Sequence, residues 1–155
     1  MIKSEFEPSK PYTYVRYGRM SDPGQNPRSP DQQFDTIGAE LCRRGYPWKY
    51  LGREYRDDGI SGRYQSKRPG YQQMLQDIRT GAIEPDLILV DTIERFGRMT
   101  ELDEVQRKLF NQHGVLVLSA DTGFADPSSE AGRAMRWMKN YQATAEGRTM
   151  AHNVV

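Results

Sequence analysis

Between Tyr14 and Asn26 the chain reads YVRYGRMSDPGQN, which places Arg19 two residues before Ser21 and Gln25 four residues after it. Two further polar stretches carry the same residue types: RDDGISGRYQSKRPG, with Asp58, Ser61 and Arg68, and ERFGR, with Glu94, Arg95 and Arg98. Pooled, they offer a serine, several arginines and scattered carboxylates. A serine hydroxyl is a poor nucleophile unless it is activated or meets a strongly polarised target. The only histidines, His113 and His152, fall at a helix end and near the end of the chain, and no G-x-S-x-G elbow occurs, so a Ser-His-Asp triad does not fit. Guanidinium groups suit a phosphate target: they bind its oxygens bidentately and stay charged as negative charge shifts in a phosphoryl-transfer transition state. A serine among arginines therefore points to attack on a phosphodiester. No carboxylates are spaced as metal ligands, so neither a metal nor another cofactor is expected.

Taken singly, each stretch is ordinary. An arginine-rich loop is most often a solvated face, Ser21 before Asp22 and Pro23 can cap a turn, and Asp57-Asp58-Gly59 reads as a turn. The chemistry requires all three to meet at one place, which is a demand on the fold.

The elements alternate. PYTYVRYGRM (residues 11–20) is rich in aromatic and β-branched residues and reads as a strand. SPDQQFDTIGAELCRRG reads as a helix, with Ser29 as N-cap, Pro30 at the first helical position, Gln32 closing a capping box and Gly45 as the stop. Its stripe of Phe34, Ile37, Gly38 and Leu41 is core packing. WKYLGREY reads as a second strand. Pro69 opens a helix that buries Tyr71, Met74, Leu75 and Ile78 and ends at Gly81. DLILV (86–90) and VLVLSA (115–120) read as strands covered on both faces, separated by the amphipathic TELDEVQRKLFNQHG with Leu102, Val105 and Leu109 inward. From Ser129 a long helical pattern spaces Ala131, Met135, Met138, Gln142 and Ala145 along one side. The expected fold is α/β: a mostly parallel central sheet flanked by helices. In such sheets ligands sit beyond the carboxyl ends of the strands, and the three polar stretches follow the first, second and third strands.

At 155 residues, with net charge +1 and one cysteine, the chain suits a single domain. Cys42 alone excludes an intrachain disulfide framework, and a reducing, cytoplasmic setting is the natural expectation. No apolar run approaches membrane-spanning length. The small net charge argues against binding a polyanion through bulk charge, although arginines crowd into residues 53–68 and 95–107.

Together these motifs resemble the catalytic domain of the serine recombinases, the resolvase/invertase family with its large serine integrases. The family pattern Tyr-x-Arg-x-Ser fits only the second copy in the opening stretch, Tyr17-Gly18-Arg19-Met20-Ser21, followed by Gln25; Tyr14 and Arg16 are then ordinary strand residues. SPDQQ supplies Gln33. DDGISG with Asp58 and Ser61, then Arg68 in RPG, matches the D-x-x-S-G…R-P-G segment. Asp86 matches an aspartate opening the DLILV strand, and ERFGR matches D-R-x-x-R with Arg95 and Arg98. Glu146 falls where the family carries a glutamate on its long dimer-forming helix. The resemblance spans roughly residues 12–150 and favours the large-integrase or transposon branch. The chain departs from the family pattern in having Glu94 in place of aspartate and Gly147 where arginine is frequent; the family's helix-borne lysine has no clear counterpart, Arg79 being the one candidate.

The resemblance implies that Ser21 attacks a DNA phosphate to form a 5′-phosphoserine link and a free 3′-hydroxyl. It assigns Arg19, Arg68, Arg95 and Arg98 to the scissile phosphate. It implies double-stranded DNA as substrate, a dimer that becomes a tetramer at synapsis, a directionality factor and no membrane partner. Residues 1–11 would be a polar leader, 12–128 the catalytic core and 129–155 the start of the pairing helix, with DNA-binding domains further on. Two other readings stand beside it. A non-catalytic DNA-binding or assembly module of the same fold need not keep Ser21 with its arginines. A small enzyme of phosphorylated metabolites would show a glycine-rich phosphate loop opening a helix, and none occurs.

Overall fold

The computed structural model describes residues 6–20, 29–58, 68–92 and 99–126, together with Ala134, Met135 and Met138. Its elements are β1 (Thr13–Met20), α1 (Pro30–Arg44), β2 (Lys49–Asp58), α2 (Pro69–Thr80), β3 (Leu87–Val90), α3 (Met99–His113) and β4 (Leu116–Ser119), then a 3-10 turn over Ala120–Thr122. The four strands are parallel, in the order β2-β1-β3-β4. The expected α/β class and parallel sheet are therefore present.

Alternation within the strands sorts the core into two layers. Val15, Tyr17, Ile88, Val90 and Val117 face α2 and α3, where they meet Tyr71, Met74, Ile78 and Leu109. Leu87, Leu89, Leu116 and Leu118 face α1, where they meet Phe34, Ile37, Trp48 and Phe124. All four residues of β3 are fully buried. That is why the DLILV run shows no polar alternation: both of its faces are covered.

Helix α1 starts and stops as its sequence dictates. The Ser29 hydroxyl accepts from the Gln32 amide at 3.3 Å, and the Gln32 side chain accepts from the Ser29 amide at 2.9 Å. Gly45 closes the helix in the left-handed region at φ 67°, its N–H reaching the Leu41 carbonyl. Helix α1 packs tightly on β1 at Gly18, where a Cβ would come 3.0 Å from Pro30 and 3.2 Å from Phe34. The glycine inside the Tyr-Gly-Arg motif is thus a seat for the helix.

Strand β2 differs from expectation. The sequence placed its end at Tyr55, yet it runs on to Asp58 and carries a bulge: Tyr14 faces Tyr50 but Arg16 faces Glu54. Gly52, at φ 77°, sits within the extra residues. The added segment keeps strand alternation. Tyr55 and Asp57 are buried, while Arg56 points outward and bonds Asp31 and Glu54. Asp86, at the other end of the sheet, accepts from the Thr13 amide at 3.0 Å while its own amide donates to the Thr13 carbonyl. It clamps β1 to β3 where both strands begin.

Ala134, Met135 and Met138 are helical, and both methionines are exposed. The remainder of the helix expected from Ser129 lies outside the described residues. Among the described residues no helix is long and apolar enough to cross a membrane.

Candidate active site at the carboxyl edge of the sheet

Because every strand is parallel, β1, β2 and β3 all end on one edge of the sheet, at Met20, Asp58 and Val90. The three polar stretches leave from these ends, as the chemistry required. Arg19, Gln33 and Arg68 are among the described residues and gather here. Ser21, Gln25, Ser61, Glu94, Arg95, Arg98 and Glu146 lie outside them, as does the side chain of Asp58. Arg79 lies in the last turn of α2, at the opposite edge, where its Nε meets the Leu75 carbonyl. It does not join this group.

Arg19 is fixed through its backbone. Pairing of β1 with β3 stops at Arg16. Beyond that point the fully buried side chain of Gln33, on α1, acts as a substitute strand. Its Oε1 accepts from the Arg19 amide at 3.0 Å, and its Nε2 donates to the Arg19 carbonyl at 2.9 Å. Two residues before Ser21, the chain is therefore held on one side by β2 and on the other by a glutamine.

Arg68 is fixed through both backbone and side chain. It is the N-cap of α2 at φ 39°, ψ 66°, and its own side chain makes no cap bond. The capping group comes instead from β2. Asp57 Oδ1 accepts from the Gly70 amide at 2.7 Å, and Asp57 Oδ2 accepts from the Tyr71 amide at 3.0 Å. These amides are orphan donors of the first helical turn, where a carboxylate is also favoured by the helix dipole. The same Oδ2 accepts from the Tyr17 hydroxyl at 2.6 Å. The Tyr17 oxygen in turn accepts from Arg68 Nε at 3.2 Å and Nη2 at 3.1 Å. The guanidinium carbon lies 4.0 Å from the centre of the Tyr71 ring, within range of a cation–π contact.

The R-P-G motif has a physical reading here. Arginine takes the left-handed conformation at the N-cap, proline starts the helix, and glycine lets the helix approach β2. A Cβ on Gly70 would lie 2.2 Å from the Arg56 carbonyl oxygen. The reading of Asp57-Asp58-Gly59 as a turn is corrected: Asp57 lies in a strand and is buried against Tyr17 and α2. Sequence reasoning passed over Asp57, Tyr71 and the hydroxyl of Tyr17. The signal was strand spacing, which puts Asp57 on the inward face with Tyr55.

Burial pushes the Tyr17 phenol well above its ordinary range; the Arg68 charge opposes the shift and the Asp57 contact adds to it. Burial followed by the Asp77 bond raises Tyr55 in the same way. For such a group the folded state keeps a proton that the unfolded chain releases above about pH 10. Its contribution to stability is complete below that pH and is lost as pH rises past it. Denaturant unfolding across an alkaline series should show stability falling above about pH 10, and Tyr17→Phe should flatten that fall while leaving the part due to Tyr55. Equal slopes for the two proteins would remove Tyr17 from the account.

The chain thus forms a parallel α/β sheet with the Arg19 backbone and Arg68 held at its carboxyl edge. Residues 14–155 match the family model described as the N-terminal domain of resolvase, and the chain belongs to that family. Solved structures share its fold. The N-terminal catalytic domain of TP901-1 integrase superposes with a TM-score of 0.58 at 24% identity, covering 88% of this chain and 98% of that one. A resolvase family site-specific recombinase from Streptococcus pneumoniae gives 0.58 at 19% identity, covering 92% and 93%. The C-terminal catalytic domain of ISC1926 TnpA, an IS607-like serine recombinase, gives 0.52 at 19% identity, covering 69% and 68%. No curated protein matches the chain.

Proposed function

We propose that this chain is the catalytic domain of a site-specific DNA recombinase that works through a covalent phosphoserine. The observation that carries this reading is the fixed placement of Arg68 and the Arg19 backbone at the sheet edge from which the Ser21 segment departs. The Ser21 hydroxyl attacks the scissile phosphorus. A bond forms between Oγ and phosphorus, the bond to the 3′ oxygen breaks, the serine proton is given up, and the leaving 3′ oxygen takes one up. Arg19, Arg68, Arg95 and Arg98 neutralise the phosphate as charge builds on its oxygens. Gln25, Gln33, Asp58, Ser61 and Glu94 order the surrounding loops. Rejoining is the same exchange in reverse, with a 3′-hydroxyl from another duplex as nucleophile, so no outside energy source is needed. The substrate is double-stranded DNA, cut by a tetramer formed from two dimers, with Glu146 on the pairing helix and a directionality partner acting on the assembly.

The test joins the chain to a heterologous DNA-binding module. Its DNA carries two sites for that module around a randomised central segment, and complexes that survive denaturation are collected. A covalent adduct is expected for the parent and none for Ser21→Ala. An adduct that persists in Ser21→Ala would exclude Ser21 as the nucleophile. A parent that never forms one would favour a non-catalytic assembly role for the same fold.

A further inference from the structure

We infer that residues 6–12 form a clasp that fixes the point where the chain leaves the catalytic core toward residues 129–155; its meaning for subunit pairing rests on the reading above. The sequence marks this stretch only as a polar leader, yet the fold builds it into the core. Its turn closes through the Lys10 amide, which donates to the Glu7 carbonyl at 3.0 Å. The Glu7 amide donates to the Tyr12 hydroxyl at 3.1 Å, and the Trp48 indole N–H donates to the Pro8 carbonyl at 3.0 Å. Phe6 stacks on Tyr12 with ring centres 5.5 Å apart and lies 6.0 Å from the ring of Trp48. Tyr46 stacks on the same indole at 4.7 Å, and Trp48 in turn meets Phe124 edge-on at 5.4 Å.

Phe124 is the strained link in this chain of rings. Its side chain is 1% exposed and its backbone sits at φ 58°. A residue with a Cβ enters the left-handed region only where its surroundings hold it there. Here they are the buried ring, its contact with Trp48, and an amide that donates to the Ser119 carbonyl at 2.9 Å. Two residues later the chain passes Asp126 on its way to the pairing segment. The leader thus holds Trp48, Trp48 holds Phe124, and Phe124 sets the exit. Packed rings pass a displacement on because they leave no slack to absorb it. With the leader released, the strained backbone at Phe124 is free to relax toward extended geometry and re-aim the exit. With the leader docked, the pairing segment starts from one direction, which spares it that ordering cost when subunits meet.

The test compares Phe6→Ala, Tyr12→Phe and Trp48→Phe in the full chain, without DNA. Tyr12→Phe keeps the ring and removes only the acceptor for the Glu7 amide, so it reads the clasp even if Phe6→Ala does not fold. Trp48→Phe removes the donor to Pro8 and assigns the Trp48 indole signal apart from that of Trp137. The first readout is hydrogen exchange followed by NMR. The parent should show a protected Trp48 indole N–H and a protected Phe124 amide. Phe6→Ala and Tyr12→Phe should speed exchange at both about tenfold, the scale of one lost aromatic pair or hydrogen bond. The Leu89 amide, in the middle of the sheet, should keep its parental rate. The second readout is self-association by sedimentation equilibrium. Phe6→Ala should weaken it roughly threefold, as the share of chains with a preset exit falls. Parental exchange at Phe124 in both Phe6→Ala and Tyr12→Phe overturns the inference. So does an equal rise at Leu89, which would make the effect global, and so does unchanged self-association once Phe124 has been released. Release of Phe124 in a chain whose parent never self-associates would keep the clasp and discard the pairing reading instead.

Discussion

Gly70→Ala should lower the melting temperature by roughly 10 °C, equivalent to about 3 kcal/mol for a domain of this size. The new methyl group would sit 2.2 Å from the Arg56 carbonyl oxygen and 2.8 Å from its carbon. Both are backbone atoms of a strand, so neither can swing aside as a side chain would. Helix α2 must lift from β2, and lifting it lengthens the Asp57 bonds to Gly70 and Tyr71, two donors that have no partner within the helix. Overpacking and loss of the cap therefore add. The internal control is Gly38→Ala, at a helical position where a Cβ meets nothing within 4 Å. It should gain about 0.5–1 kcal/mol from the better helix propensity of alanine. Thermal unfolding followed by circular dichroism separates the two. An unchanged melting temperature for Gly70→Ala would mean that β2 and α2 do not pack as described.

Gln33→Leu should cost about 2–6 kcal/mol, from two part-buried backbone groups that each lose a partner at about 1–3 kcal/mol. Leucine nearly matches glutamine in volume and keeps the helix, so the loss reports the polar contacts of the Gln33 amide, the two hydrogen bonds to Arg19 among them. Gln33→Glu is the informative companion. A carboxylate keeps the acceptor for the Arg19 amide but loses the donor to its carbonyl, and it places a charge in a fully buried site, so its stability should fall steeply as pH rises above the carboxylate range. If Gln33 only filled space, Gln33→Leu would unfold at the same denaturant concentration as the parent. Both variants should also lose adduct formation, because the strand end they release leads directly into Ser21.

Much of this fold is legible in the sequence because its signals are local. Ser29, Pro30, Gln32 and Gly45 specify α1 within their own turns, and Pro69 and Gly81 bound α2 in the same way. DLILV needs only its length and apolarity. The extension of β2 was not legible, since Arg56, Asp57 and Asp58 are polar and the partners that make a strand of them are distant: Asp31 on α1 for one, Tyr17 and α2 for another. The same distance hid Asp57 as the cap of α2. Its partners lie 40, 13 and 14 residues away along the chain, and no pattern of spacing advertises them. Arg68 was legible as a candidate for phosphate chemistry, whereas the groups that hold it became visible only in three dimensions.

The bond from Thr13 to Asp86 spans 73 residues, and it has a consequence for how the protein is made. Strand β1 is synthesised first but lies at the centre of the sheet, between two partners that come later. At ribosomal speeds of about 5–20 residues per second, it waits on the order of ten seconds before β3 has been translated. During that interval Val15 and Tyr17, which end with no exposed surface, have β2 and then α2 to shelter them, because α1 covers the opposite face of the sheet. The stretch that leads into the candidate nucleophile therefore spends that interval with apolar side chains that the finished sheet will cover. Slower translation between residues 60 and 85 would lengthen its exposure without changing a single contact of the finished molecule.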